Sequence, residues 1–162
     1  MWSAEPDGGV AGRVLEALAG RGETLAAAES LTGGLLSARL TDVPGASRSF
    51  VGGVVSYATS VKVAVLGVPA AVVEEHGVVS EGCALAMAHG VRARLGATWG
   101  LATTGVAGPD RQEGQAVGTV WIALAGPAGA TARLLDLSGD RTAIRQAACA
   151  SVLQVLATEL GE

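Results

Sequence analysis

Residues 24–42 read TLAAAESLTGGLLSARLTD, and the two halves of this stretch follow different rules. Leu25, Ala26, Ala27 and Ala28 run without a charge until Glu29 and Ser30. A short apolar run of this kind predicts a strand covered on both faces, over 24–30. From Leu31 onward the spacing changes: Leu35, Leu36 and Leu40 share one helical face, which predicts a helix over 31–42. A buried strand that passes through a glycine-rich turn into a helix is the building unit of a parallel sheet with helices outside it.

The flanking sequence continues in the same way. Val10, Val14, Leu15 and Leu18 predict a first helix over 8–22, ended by Gly20 or Gly22. Pro44-Gly45 marks a turn, and the β-branched run 49–58 predicts a strand with a bulge or close contact at Gly52-Gly53. A short helix over 60–69 ends at Gly67-Val68-Pro69, and Pro69 opens another over 69–77. Ser80 caps a longer amphipathic helix to Gly96, followed by a strand over 98–105 and a polar loop over 106–116. Two strands, 117–126 and 130–138, form a hairpin across Pro127-Ala128-Gly129. A final long helix is capped by Ser138 or Asp140. The expected fold is α/β: a single three-layer α/β/α domain with a mixed β-sheet, spanning 1–162.

Composition narrows the function. Of 162 residues 49% are hydrophobic and 16% charged, which excludes a disordered chain. There are 24 glycines but only five aromatics (Trp2, Phe50, Tyr57, Trp99 and Trp121), so the core must be built from Ala, Val and Leu. The net charge is −4 with no basic run, which argues against a nucleic-acid partner. Cys83 and Cys149 lack metal-ligand spacing and read as small buried residues in a reducing compartment. Neither a signal peptide nor an apolar span of membrane length is present, so the expectation is a soluble, cytoplasmic domain without a membrane partner. The apolar composition makes a buried self-interface, and hence a homodimer, the expected assembly.

The eleven basic residues are ten arginines and a single lysine, Lys62. A guanidinium stays protonated, whereas a buried ammonium can lose its proton and serve as a base. Lys62 lies five residues after Tyr57, the only tyrosine, at a strand end. The plainer alternative is a surface cation beside a strand-end aromatic. Glu29-Ser30-Leu31-Thr32-Gly33-Gly34 stands where a strand exits into a helix, the position at which ligands gather in open α/β sheets. Backbone N–H groups and glycines there can hold a phosphate or a developing oxyanion, with Ser30 placed to point into the crevice; the plainer alternative is that Ser30 or Thr32 is a helix cap. Thr103-Thr104-Gly105 is a second strand exit able to bring hydroxyls and N–H groups to a ligand, or a plain turn. Arg141 and Arg145, four apart at the start of the last helix, could pair a phosphate or simply be solvated. His76 and His89 have no ligand spacing.

Taken in order, AESLTGG, VPGAS, VGGVVSY, Lys62, HGVVSE, TTGVAGP, VGTVWIAL and SGDRTAIR resemble the C-terminal domain of CinA and its standalone form, the nicotinamide-nucleotide amidohydrolases. The resemblance runs from about Val10 to Leu156. It implies hydrolysis of the carboxamide of nicotinamide mononucleotide, giving nicotinate mononucleotide and ammonia. Carried over, it implies Ser30 as nucleophile, Lys62 as its base and Tyr57 as an orienting hydroxyl. Thr32, Gly33, Gly34, Ser47, Thr104, Gly105, Arg141 and Arg145 would surround the nucleotide substrate, and neither metal nor cofactor is implied. This chain has Leu31 where the family usually has cysteine, and its loop over 110–116 reads DRQEGQA where the family usually has Gly-Gly and Lys-Pro. A non-catalytic nucleotide-binding or assembly module, or an amidase for another small amide, are the competing expectations.

Overall fold

In the computed structural model, which describes residues 9–162, the apolar run after Thr24 forms β1 (Leu25–Glu29), buried along its whole length. It lies between β2 (Phe50–Val55) and β3 (Trp99–Gly105), parallel to both. β4 (Thr119–Gly126) runs antiparallel beside β3, and a tight hairpin through Pro127 and Ala128 leads to β5 (Gly129–Asp136) at the edge. The sheet order is β2-β1-β3-β4-β5, a mixed five-stranded sheet.

Side-chain alternation divides this sheet between two cores. Leu25, Ala27, Leu101, Ile122 and Leu124 face one layer, formed by α1 (Gly9–Arg21), α2 (Leu35–Thr41) and α6 (Arg141–Leu160). Ala26, Ala28, Ala102, Ala123 and Ala125 face the other, dominated by α5 (Glu81–Leu95). α3 (Thr59–Ala64) and α4 (Ala70–His76) complete the helices. The second face is lined almost entirely by alanine, so α5 approaches the sheet closely. A Cβ on Gly100 would meet the Ala88 carbonyl at 2.2 Å, and one on Gly90 would meet the Leu66 carbonyl at 2.0 Å. Shortage of aromatics and abundance of glycine are thus two sides of one packing solution.

The expected bulge in the second strand is present. Leu25 faces Phe50 and Ala26 faces Gly52, which leaves Val51 as the extra residue. Gly53 is a close contact: a Cβ there would lie 2.5 Å from the Ser37 hydroxyl. Ser80 caps α5 by accepting from the Cys83 N–H, and Asp140 rather than Ser138 caps α6 by accepting from the Ala143 N–H. Two boundaries are corrected: the helix expected over 60–69 stops at Ala64, and the one expected over 31–42 starts late. Residues 31–34 form a turn, and α2 begins only at Leu35, because Gly33 (φ 56°) and Gly34 (φ 102°) are left-handed. Cys83 and Cys149 are both free and buried. No helix among the described residues is long and apolar enough to cross a membrane. The opening segment, with Trp2 and the first residue of the expected helix, lies outside the described residues.

Candidate active site

Because β1, β2 and β3 are parallel, their carboxyl ends share one edge of the sheet, where Ser30 follows β1 directly and Tyr57 stands two residues beyond β2. Ser30, Tyr57, Lys62, Thr104, Gly105 and Arg141 line a single cleft of about 430 Å³. Lys62 comes in from α3, with 1% of its surface exposed, and places its Nζ 2.9 Å from the Ser30 Oγ. The same Nζ donates to the Ser56 carbonyl at 2.6 Å and reaches the Tyr57 carbonyl at 3.4 Å. Three acceptors suit an ammonium. A neutral amine can keep both carbonyls and turn its lone pair to the serine hydroxyl, which then becomes the donor.

Burial shifts the balance toward that second state. Burial lowers the pKa of Lys62 from its ordinary value, with Cys83 and Glu113 pulling the other way. Burial pushes the Cys83 thiol up to about 11, so near neutral pH it stays protonated beside the lysine. Cys149 is pushed up to about 12 by burial and is equally inert.

The turn that carries Ser30 is held from behind. Glu29, fully buried, accepts from the N–H groups of Gly34 (3.2 Å), Leu36 (2.8 Å) and Ser37 (3.1 Å), and from the Ser37 hydroxyl at 2.7 Å. Its charge meets the unpaired donors at the start of α2. The Thr32 and Thr103 hydroxyls bond at 2.8 Å, which ties the turn to β3. Arg145 donates to the Leu31 carbonyl at 2.9 Å and the Thr32 carbonyl at 2.8 Å.

The residues named from sequence therefore fall into three groups. Ser30, Lys62, Tyr57, Thr104, Gly105 and Arg141 come together in the cleft. Thr32, Gly33 and Gly34 belong to the turn itself and Arg145 braces it, and none of the four lines the cleft. Ser47 is exposed on a 3₁₀ turn, Ala46–Arg48, at the amino end of β2, so within this chain it stands at the opposite edge of the sheet from the cleft. Tyr57 meets the site through two different atoms. Its hydroxyl bonds Arg141 at 3.1 Å at the exposed rim, and only its backbone carbonyl reaches Lys62. Arg141 also donates to the Gly108 carbonyl. Gly105 is fixed by packing, since a Cβ would lie 2.6 Å from the Thr119 carbonyl. The Thr104 hydroxyl donates to the Val78 carbonyl at 2.8 Å.

Three participants had no role assigned in the sequence reading. Ser56 acts through its backbone, which leaves no side-chain signature. Glu29 had a visible signal, the lone charge closing an apolar strand. Glu113, in the polar loop over 106–116, accepts from the Val78 and Val79 N–H groups. Among the described residues, no three His, Cys, Asp or Glu side chains group so as to hold a metal ion.

Fold and site together define a class: a three-layer α/β domain with a serine–lysine pair at the carboxyl ends of its parallel strands. The family model for the CinA C-terminal domain matches residues 8–160, and the chain belongs to that family. It is 57% identical over 150 residues to a CinA-like protein of Frankia casuarinae, an alignment covering 93% of this chain and 35% of that protein. Among solved structures, a CinA superfamily protein from Klebsiella pneumoniae is similar with a TM-score of 0.93 at 32% identity, covering 97% of this chain and 99% of that one. A competence/damage inducible protein from Agrobacterium tumefaciens gives 0.92 at 32% identity, covering 100% of each. The chain spans about a third of the length of the curated relatives it matches.

Proposed function

We propose that this domain is an amidohydrolase that converts nicotinamide mononucleotide to nicotinate mononucleotide and ammonia, with Ser30 as nucleophile and Lys62 as base. The observation that carries this reading is the 2.9 Å contact between a fully buried lysine and a cleft-lining serine. In the first step neutral Lys62 takes the Ser30 proton as Oγ attacks the carboxamide carbon. The Leu31 backbone N–H, next after the nucleophile, is the donor assigned to the developing oxyanion. The tetrahedral intermediate collapses, the C–N bond breaks, and Lys62 returns the proton to the nitrogen, which leaves as ammonia. Water, deprotonated by the same amine, then attacks the ester on Ser30 and releases the nicotinate carboxylate.

Binding of the nucleotide is assigned to the remaining cleft residues. Arg141, oriented by the Tyr57 hydroxyl and the Gly108 carbonyl, suits the phosphate at the exposed rim. Asp110 lines the same cleft and suits the positive pyridinium ring. Work as a homodimer in the cytoplasm belongs to the same proposal. The test is ammonia release from nicotinamide mononucleotide by the purified protein. Release by the wild type and its loss in Ser30→Ala supports the assignment; a Ser30→Ala rate near wild type removes it.

A further inference from the structure

Glu113 breaks a local rule. Gln112 and Gln115 bond to each other in both directions, N to O at 3.3 Å and 2.8 Å, so Glu113 and Gly114 are the central pair of a two-residue turn. Both have positive φ, 52° and 73°. That conformation selects Asn-Gly, Asp-Gly or Gly-Gly, and a glutamate at its first central position is unfavourable on local grounds. Something beyond the turn must hold it there. The structure supplies the reason. The Glu113 carboxylate accepts from the Val78 N–H at 3.0 and 3.1 Å and from the Val79 N–H at 3.0 Å. Room for it comes from Gly77 (φ 77°), where a Cβ would lie 2.7 Å from the Glu113 Oε2. Two positive-φ residues, one on each side of the contact, thus serve one carboxylate.

What is held is part of the cleft. Val78 and Val79 line it beside Lys62, and the Val78 carbonyl fixes the hydroxyl of Thr104 on the adjoining wall. On the other side of the contact, Asp110, Arg111 and Gln112 of the same loop also line the cleft.

We infer that Glu113 is a positioning residue: its carboxylate clasps the 110–116 loop to the 77–79 segment and brings a negative charge to bear on Lys62 from behind the cleft wall. The inference rests on the proposed hydrolysis for its kinetic readouts only. The charged and titratable groups around Lys62 are Glu113 and Asp110 of the loop, Arg111 beside them, Cys83 of α5 and Arg141 of α6. Of these, the Glu113 carboxylate favours the ammonium form, against burial, while the protonated Cys83 thiol carries no charge near neutral pH.

Three variants separate a clasp from a mere turn residue. Glu113→Gln keeps the shape and removes the charge. Glu113→Ala removes the contact. Glu113→Asn places the residue the turn prefers but shortens the reach. Two readouts apply to each: hydrogen exchange at the Val78 and Val79 amides, and the rate of Ser30 labelling by a fluorophosphonate between about pH 6 and 10, which follows deprotonation of Lys62. Loss of the negative charge leaves the ammonium less favoured, so in Glu113→Gln the rising limb moves to lower pH. In Glu113→Ala and Glu113→Asn, exchange at the two amides accelerates on the order of tenfold or more, because two donors lose a charged acceptor. If Glu113 only shapes the turn, Glu113→Asn exchanges at the wild-type rate or more slowly. That result, or a Glu113→Gln limb that stays in place or moves to higher pH, overturns the inference. Absent labelling in the wild type counts against the serine–lysine reading, while the amide exchange still decides the clasp.

Discussion

Lys62 presents its Nζ to one hydroxyl and two carbonyls, a set that a neutral amine can satisfy in full. One lysine among ten arginines stands out in the sequence itself, since an arginine cannot release its proton at physiological pH. The sign of the pH dependence follows. Burial lowers its pKa, so the base form gains population as pH rises through that lowered value, and hydrolysis should rise with it. Ser30→Ala should lose on the order of 10⁴-fold or more in ammonia release while circular dichroism stays unchanged. The two arginines of α6 should separate kinetically. Arg141 faces the cleft, so Arg141→Ala should raise KM with little change in kcat. Arg145 holds the carbonyls of Leu31 and Thr32, so Arg145→Ala should lower kcat with little change in KM. Steady-state kinetics on both variants checks this, and the reverse pattern would contradict the assignment. Their i, i+4 spacing points to a shared phosphate when only the sequence is considered. Their divergence depends on which backbone each meets more than thirty positions away, which no local pattern records.

At the element scale, strands and helices were legible because Leu, Val and Ala recur with periods that a sheet or helix must repeat. The turn over 31–34 was not, since LTGG reads as a helix start until Gly33 and Gly34 adopt left-handed φ. Its order comes from Glu29, whose carboxylate gathers four donors from the start of α2. Glu29→Ala leaves those buried donors without a partner and should destabilise the fold by about 2–4 kcal/mol, measured by urea unfolding. Glu29→Gln keeps one acceptor and should cost less. A Glu29→Ala protein as stable as wild type would mean the carboxylate does not secure the turn. Glu113 illustrates the same limit: an exposed polar loop conceals which carboxylate reaches back to Val78 and Val79.

Across the whole molecule, the asymmetric sheet explains how so few aromatics suffice. One face offers leucine and isoleucine to three helices, and the other offers alanine so that α5 can settle against it. Gly100→Ala would place a methyl 2.2 Å from the Ala88 carbonyl and should cost about 1–3 kcal/mol or more, readable as a lowered urea midpoint at unchanged slope. That close fit also fixes the cleft, because Cys83 at the start of α5 is packed in the same core as Val78 and Val79. The mixed sheet and its layers were legible from the interleaved strands and the terminal hairpin. The pairing of Ser30 with Lys62 was an implication of resemblance, and the fold brings the Lys62 Nζ within 2.9 Å of the Ser30 Oγ. It is tested most directly by ammonia release from nicotinamide mononucleotide by Lys62→Arg beside wild type, between about pH 6 and 10. The serine–lysine mechanism predicts a wild-type rate that climbs with pH and a folded Lys62→Arg protein that is nearly inactive throughout. A Lys62→Arg rate within about threefold of wild type at every pH would contradict it.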